Sequence, residues 1–182
     1  MAAITEGSAT GANALAIGTN SQASGDSAVA VGINAKTNGN RAMAVGSGTS
    51  ASKDDAVAFG SAAGAATQNS VSIGKSASVR EATAGELASA GVDVKTAGTT
   101  TGSSSVAVGA NSKAFGTNAT AVGQSSNALG QNSFAGGQVA KAYGKSSVAV
   151  GDGAVATNDV AAAVGTSSRA TAGGTASLGY GA

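Results

Sequence analysis

Few side chains in this sequence are of the kinds that carry out catalysis. Its 182 residues include no histidine and no cysteine. This composition removes the ordinary general base at neutral pH and the usual soft metal ligands and thiol nucleophile. The adjacent carboxylates Asp54 and Asp55 have no such partner nearby and are interpreted as part of a solvated turn. The sequence therefore predicts a protein that is not an enzyme and that has no cofactor and no metal site.

Two patterns that suggest other chemistry are interpreted as accidental, and a third kind of site is excluded. Residues 151–156, Gly-Asp-Gly-Ala-Val-Ala, match a loose dinucleotide fingerprint but open no predicted helix. The segment Asn118-Ala119-Thr120 has the pattern of a glycosylation sequon, with Thr120 at a predicted strand position. Calcium-binding β-rolls repeat Gly-Gly-x-Gly-x-Asp every nine residues, and this sequence has neither that motif nor that period.

A repeated tetrapeptide organises the chain. Val-Ala-Val-Gly occupies residues 29–32 and returns at 106–109 and 148–151. Looser copies lie between, and their closing residues, here called the anchor glycines, recur every 14 residues with one interval of 35. The anchor glycines are Gly18, Gly32, Gly46, Gly60, Gly74, Gly109, Gly123, Gly137, Gly151, Gly165 and Gly179. A fixed period this short is typical of a solenoid.

Each repeat predicts two short strands and two turns. Residues three and one before the anchor glycine are mostly large and apolar, with Ala or Ser between them, which is the alternation of a strand. Residues three and five after it are small and flank a mostly polar residue, which indicates a second strand with its small side chains inward. Parallel stacking at about 4.8 Å per coil makes eleven coils roughly 50 Å long.

Glycine marks both turns. The anchor glycine ends the first strand, and a second, less regular glycine stands seven residues later. These second glycines are Gly25, Gly39, Gly116, Gly130 and Gly144. Glycine adopts positive φ without a steric penalty, so the sequence predicts tight corners with positive φ at both glycines.

Composition excludes several classes of protein. Apolar residues make up 42% of the chain and recur periodically, which argues against disorder. A net charge of +1 without basic runs gives no indication of nucleic acid binding. No apolar run reaches the length of a membrane span, and the first residues lack the pattern of a signal peptide. Because the repeats continue almost to the C-terminus, we interpret the sequence as a fragment of a longer protein.

The large apolar residues lack a partner within the chain. They point away from the thin interior and would form one continuous apolar stripe, larger than monomers normally expose. A second copy of the same stripe is the simplest cover, so the sequence predicts a homo-oligomer. The predicted interface consists of Leu15, Ile17, Val29, Val31, Val45, Val57, Ile73, Val108, Val122, Val150 and Val164.

The repeats resemble a known family. Residues 68–74, 102–109 and 144–151, each ending in Ser-Val-Ala-Val-Gly or Ser-Val-Ser-Ile-Gly, are similar to the YadA-type head of trimeric autotransporter adhesins. Residues 32–39 and 109–116 fit the second half of that family's motif. The resemblance covers nearly the whole chain. It implies an all-β fold, namely a left-handed parallel β-roll (solenoid) of about eleven 14-residue coils, assembled with two identical chains as a homotrimer.

The resemblance also implies a location and a function. It places the chain on the surface of a Gram-negative bacterium, held at the outer membrane only through an anchor that this sequence lacks. Expected partners are a protein or glycan of the host cell or extracellular matrix, and no nucleic acid. The main alternative is a structural spacer that presents another binding domain. An ice-binding solenoid would need a regular Thr-x-Thr rank, and a β-helix acyltransferase would need 18-residue coils and a catalytic histidine.

One insert interrupts the repeat between Gly74 and Gly109. The expected organisation is a lead-in over 1–10, coils over 11–78, an insert projecting from the roll over 79–102 and further coils over 103–182. The insert is richer in charge than the coils, and its candidate binding residues are Arg80, Glu86, Asp93 and Lys95. Residues 83–86, Thr-Ala-Gly-Glu, form a possible capping box for one short helix that stops at Gly91, with an extended return over 92–95.

Basic residues recur at one position of the coil. Lys36, Lys113, Lys141 and Arg169 all stand four residues after an anchor glycine, between two small inward residues. The last three occupy alternate coils, so we expect them to rise in one solvent-exposed column about 10 Å apart. Such a column is a candidate face for anionic ligands, although basic residues on an exposed sheet also serve solubility.

Overall fold

The chain folds as a narrow solenoid built from two parallel sheets. A computed structural model describes residues 6–81, 83, 86 and 103–182. One sheet contains eleven strands of three residues each, and the other contains eleven two-residue strands. More exactly, every strand that precedes an anchor glycine has three residues and belongs to the long-strand sheet, and the strands between them form the short-strand sheet.

The strands alternate between the two sheets along the chain. In order they are β1 Ser8–Ala9, β2 Leu15–Ile17, β3 Gln22–Ala23, β4 Val29–Val31, β5 Lys36–Thr37, β6 Met43–Val45, β7 Ser50–Ala51, β8 Val57–Phe59, β9 Gly64–Ala65, β10 Val71–Ile73, β11 Ser78–Val79, β12 Val106–Val108, β13 Lys113–Ala114, β14 Thr120–Val122, β15 Asn127–Ala128, β16 Phe134–Gly136, β17 Lys141–Ala142, β18 Val148–Val150, β19 Val155–Ala156, β20 Ala162–Val164, β21 Arg169–Ala170 and β22 Ala176–Leu178. Even-numbered strands form the long-strand sheet, and odd-numbered strands form the short-strand sheet.

Equivalent residues of successive repeats face each other. Val29 pairs with Met43 in the long-strand sheet, and Lys36 pairs with Ser50 in the short-strand sheet, each pair being one period apart. Every strand pair is parallel and joins equivalent residues of successive coils, including the two pairs across the 35-residue interval. The predicted parallel β-solenoid of about eleven coils is confirmed. None of the described residues belongs to a helix that is long and apolar enough to cross a bilayer.

The interior is thin and consists mainly of alanine and serine. The middle residue of a long strand, such as Ala30, and the residues around the polar position of a short strand, such as Ala35, have no exposed surface. Several serine hydroxyls in the core have backbone partners; Ser112 Oγ, for example, donates to the Gly109 carbonyl oxygen at 2.8 Å. The hydroxyls of Ser21 and Ser72 have no partner among the described residues. These small side chains let the two sheets lie close together, and the large residues therefore remain outside.

Both turns of a coil contain a residue with positive φ. At the first turn the anchor Gly32 has φ 131° and Asn34, two residues later, has φ 58°. At the second turn the positive φ falls on Arg41, with φ 56°. In each turn an amide donates across three residues, as Ala35 does to Gly32 and Ala42 does to Gly39. Positive φ at the third residue is the requirement of a type II turn, which favours Gly or Asn there.

The prediction for the second glycine of the coil was wrong. Gly25, Gly39, Gly116, Gly130 and Gly144 are not among the residues with positive φ. They are needed because the next coil lies against them: a Cβ on Gly25 would stand 2.0 Å from the Gly39 carbonyl oxygen. We call these five residues the stacking glycines.

The coils on either side of the interrupted interval stack directly on each other. Val71 pairs with Val106 in the long-strand sheet, and Val79 pairs with Ala114 in the short-strand sheet. Val79 is the last residue of β11 and is fully buried. The stop at Gly91, the return over 92–95 and the candidate residues Asp93 and Lys95 lie outside the described residues.

Candidate interaction surfaces

The outer face of the long-strand sheet is apolar along the length of the roll. Each long strand sends its middle residue inward and its first and third residues outward. Of the predicted interface residues, Leu15, Ile73, Val122, Val150 and Val164 are exposed, and the others, Ile17, Val29, Val31, Val45, Val57 and Val108, are half-buried. The parallel register lines them up in two adjacent columns. We call this surface the apolar face.

Two aromatic residues extend the apolar face beyond the predicted set. Phe59 is 52% exposed and pairs with Val45 and Ile73, and Phe134 is 38% exposed and pairs with Thr120 and Val148. Both occupy positions at which other coils place Val, so the repeat alignment would have predicted that they belong to this face. The whole face is larger than the scattered apolar groups that a monomer normally exposes.

The basic residues stand on the outer face of the short-strand sheet. Lys36, Lys113 and Arg169 are exposed and Lys141 is half-buried. The strand register runs from Lys113 through Asn127, Lys141 and Val155 to Arg169, so successive cations are two coils, or about 10 Å, apart. None of the four forms an ion pair within the described part of the chain. We call Lys36, Lys113, Lys141 and Arg169 the basic column.

Arg80 forms a clamp where the chain leaves the roll. Its guanidinium donates to both carboxylate oxygens of Glu86, at 2.5 and 3.0 Å, and to the Glu81 carbonyl oxygen at 2.9 Å. The Glu86 carboxylate also accepts from the Thr83 amide at 3.0 Å and the Thr83 hydroxyl at 2.8 Å. The Glu86 amide donates back to the Thr83 hydroxyl at 3.3 Å, so the predicted capping box is confirmed.

The clamp rests on an aromatic ring of the following coil. The Arg80 guanidinium lies 4.3 Å from the centre of the Phe115 ring, the distance of a cation–π contact. Phe115 is the largest fully buried side chain among the described residues. Arg80 and Phe115 each stand six residues after an anchor glycine, in strands that pair as Val79 with Ala114. The contact between Arg80 and Phe115 could therefore have been predicted from their equivalent positions in neighbouring repeats.

The clamp changes the acidity of Glu86. Burial alone would raise the pKa of this carboxyl, but the hydrogen bonds from Arg80 and from the Thr83 amide and hydroxyl outweigh burial and lower the pKa to about 2. A carboxylate that accepts several charge-assisted and backbone hydrogen bonds is strongly stabilised in its ionised form. The charge of Glu86 is therefore part of the clamp at any pH well above that value.

The paired carboxylates at 54 and 55 are structural. Asp55 accepts two hydrogen bonds from the Arg41 guanidinium of the preceding coil, at 2.6 and 2.7 Å, and this hydrogen bonding lowers the pKa of Asp55. Asp54 accepts from the Asn40 amide at 2.8 Å, one coil away. Both side chains link successive coils at the second turn, which agrees with their interpretation as a turn.

The dinucleotide-like and sequon-like patterns are also ordinary parts of the coil. Residues 151–156 contain a turn and strand β19 and open no helix. Asn118 has positive φ at a second turn, and its side-chain amide Nδ2 donates to Asn132 Oδ1 at 3.2 Å. Over 6–81, 83, 86 and 103–182, no group of three or more acidic side chains is placed to hold a metal ion.

Comparison with known proteins agrees with the coil structure. A family model described as the YadA head domain repeat, which contains two copies of the repeat, matches residues 9–35, 23–49, 51–77, 101–126, 116–140 and 142–168. These segments cover most of the chain. A search of the curated proteins finds no match.

Proposed function

Because the chain belongs to the YadA head domain family, we propose that this adhesin head segment attaches a Gram-negative bacterium to host cells or extracellular matrix. The observation that carries the proposal is the family match across most of the chain, on a solenoid whose successive coils pair strand by strand along both sheets. A rigid rod holds its surface residues at fixed spacing, which suits contact with an extended protein or glycan.

The proposed assembly is a trimer with the apolar face at its centre. Three chains around one axis would cover the outer columns of the long-strand sheet, including Val31, Phe59 and Val108. Burying this apolar surface stabilises the assembly by roughly 25 cal/mol for each Å² removed from water. The short-strand sheets then face solvent, with one basic column per chain. A surface location on the bacterium belongs to the same proposal.

The proposed ligand face is the basic column, with the clamp region as the second candidate. Lys113, Lys141 and Arg169 stand two coils apart, and none of the four cations forms an ion pair within the described residues. The register of the column contains no acidic residue. Anionic ligands such as sulfated or sialylated glycans, or acidic patches of matrix proteins, fit this pattern. Attraction to such a column weakens as salt screens it, over a Debye length of about 8 Å at physiological ionic strength.

A direct binding measurement tests the proposal. The purified chain is applied to host cells and to immobilised matrix proteins and glycans at low and physiological salt. We expect saturable binding, and we expect the triple variant Lys113→Ser, Lys141→Ser and Arg169→Ser to bind less while it keeps the parent's circular dichroism and thermal unfolding. Equal binding by the triple variant would remove the basic column from the ligand face.

The alternative function is a structural spacer that lifts another domain. The uniform coils favour it, since a stiff rod of parallel strands is a good spacer whatever its surface carries. The same binding measurement distinguishes the adhesive function from the spacer function. A folded chain that binds no cell, matrix protein or glycan at low salt is a spacer, and the adhesive function then lies elsewhere in the protein.

A further inference from the structure

Asn38 and Gly39 form the only Asn-Gly pair in the sequence. Asn38 follows strand β5, two residues after Lys36, and its side chain is exposed. Gly39 is one of the stacking glycines, and a Cβ added to it would stand 2.0 Å from the Lys53 carbonyl carbon of the next coil. The stacking of the coils therefore requires a glycine after Asn38, whatever chemistry the pair brings with it.

An exposed asparagine can react with the main chain that follows it. The amide nitrogen of the next residue gives up its proton and forms a bond to the side-chain carbonyl carbon. The bond from that carbon to the side-chain nitrogen breaks, and this nitrogen takes up a proton and leaves as ammonia. Water then opens the five-membered succinimide ring at either carbonyl, which leaves aspartate or isoaspartate. A following glycine favours the attack because it has no Cβ to obstruct the nitrogen.

The Gly39 amide is available for this reaction. It donates no hydrogen bond within the part of the chain that the structure describes. The amides on either side of it are engaged: the Asn38 amide donates to the Ala51 carbonyl oxygen at 3.1 Å, and the Asn40 amide donates to Asp54 Oδ1 at 2.8 Å. The stacked coils thus hold the neighbouring backbone in place and leave the attacking nitrogen without an acceptor.

Two other exposed asparagines show the opposite arrangement. Asn111 and Asn132 have φ of 57° and 56° within turns, and each is followed by a serine. The Ser112 and Ser133 amides close these turns, and each donates at 3.2 Å to the carbonyl oxygen of the glycine three residues earlier. Attack by either amide requires the loss of that hydrogen bond and must pass a side chain. The two residues are therefore controls within the same chain.

From these observations we propose that Asn38 is a site of spontaneous deamidation in the folded protein. The product carries a new carboxylate two residues from Lys36, a member of the basic column, and lowers the net charge from +1 to 0. Isoaspartate also adds a methylene group to the main chain directly before a stacking glycine, which displaces the ladder between Asn38 and Ala51. The modification is independent of the proposed adhesive function.

Peptide mass spectrometry of the full chain after incubation in mildly alkaline buffer tests the assignment. We expect Asn38 to be converted at least about tenfold faster than Asn111 and Asn132, because reaction at these two residues requires breaking a hydrogen bond. The rate should rise with pH, since the attacking amide must lose its proton. Asn38→Ser should remove the fast conversion and keep the parent's circular dichroism and thermal unfolding, because Ser24 and Ser52 occupy the equivalent position in the neighbouring coils.

Incubation of the same chain in urea separates the effect of the fold from that of the sequence. We expect the folded chain to convert Asn38 within about tenfold of the unfolded rate, whereas Asn111 and Asn132 should react faster once their turns are lost. Two results would each overturn the proposal. One is conversion of Asn38 in the folded chain at no more than the rate of Asn111. The other is conversion of Asn38 more than about tenfold slower in the folded chain than in urea, which would show that the coil protects the pair.

Discussion

The stacking glycines allow neighbouring coils to approach closely because they have no Cβ atom. A Cβ on Gly130 would lie 2.0 Å from the Gly144 carbonyl oxygen, and backbone cannot retreat from such a contact without loss of the ladder. Gly130→Ala should therefore lower the free energy of unfolding by roughly 2 kcal/mol or more in thermal or denaturant unfolding. Gly64→Ala is the matched control, because a Cβ there meets nothing within 4 Å. Equal effects of the two substitutions would contradict this explanation.

Val160 is an unfavourable residue for its backbone conformation. It has φ 58°, a region that β-branched residues avoid, and its side chain is 65% exposed. Asn69, Asn118 and Asn132 occupy the equivalent turn position of other coils. Val160→Asn should stabilise the chain by roughly 1 kcal/mol, measured by denaturant unfolding, because Asn tolerates this conformation.

Ile33→Asn provides the control for Val160. Ile33 is also an exposed apolar residue at a corner, 55% exposed, but it is not among the residues with positive φ. Its replacement should give no comparable gain. Stabilisation of both variants would mean that polarity at the surface, rather than backbone strain, explains the effect.

At the scale of the element, the clamp responds to acid. Because the pKa of Glu86 in the folded chain, about 2, lies below its ordinary value of 4.5, the stability that its charge contributes is complete above the ordinary value. That stability is lost progressively as the pH falls through the window between the two values. The carboxyl ¹³C shift of Glu86 should accordingly titrate near pH 2. A midpoint near the ordinary value would show that the clamp does not form.

Glu86→Gln isolates the contribution of charge to the clamp. This variant keeps the shape of the side chain and can still accept hydrogen bonds from Arg80 and Thr83. It should lose the acid-dependent change in amide exchange at the clamp while the amides of the coils keep the parent's protection. Unchanged acid dependence in this variant would assign the effect to another carboxylate.

The 14-residue period predicts the strands because each solenoid coil consists only of two short strands and two turns. Alternation of large and small residues fixes which side chains enter a core too thin for anything larger than alanine, serine or threonine at most positions. The role of Gly25 was not predictable in the same way. A glycine required for φ and a glycine required for close stacking are identical in sequence, and only the path of the next coil distinguishes them.

The alignment of the repeats explains which surface features could be predicted from the sequence. The basic column and the apolar face follow from position in the repeat, and the contact of Arg80 with Phe115 follows from the same alignment once the interruption is removed.

At the scale of the whole molecule, assembly and folding should be coupled. The double variant Val31→Asp and Val108→Asp places a carboxylate at two positions of the apolar face, and each carboxylate that remained buried in a trimer would cost several kcal/mol. Sedimentation velocity should find the parent as a trimer and the variant dissociated or unfolded. Gln22→Asp adds the same group to the opposite, solvent-exposed sheet and should remain trimeric. A folded monomer of the parent would overturn the proposed assembly.

The direct pairing of Val71 with Val106 has a consequence for how the chain folds. Elsewhere each new coil joins the last by closing a segment of 14 residues, but at this step the closed segment has 35. Chain closure entropy makes the longer step costlier by about 0.8 kcal/mol. Growth of the roll from either end should therefore pause at this boundary. A clamp that formed before this step would shorten the free segment on its outgoing side and so lower the closure cost.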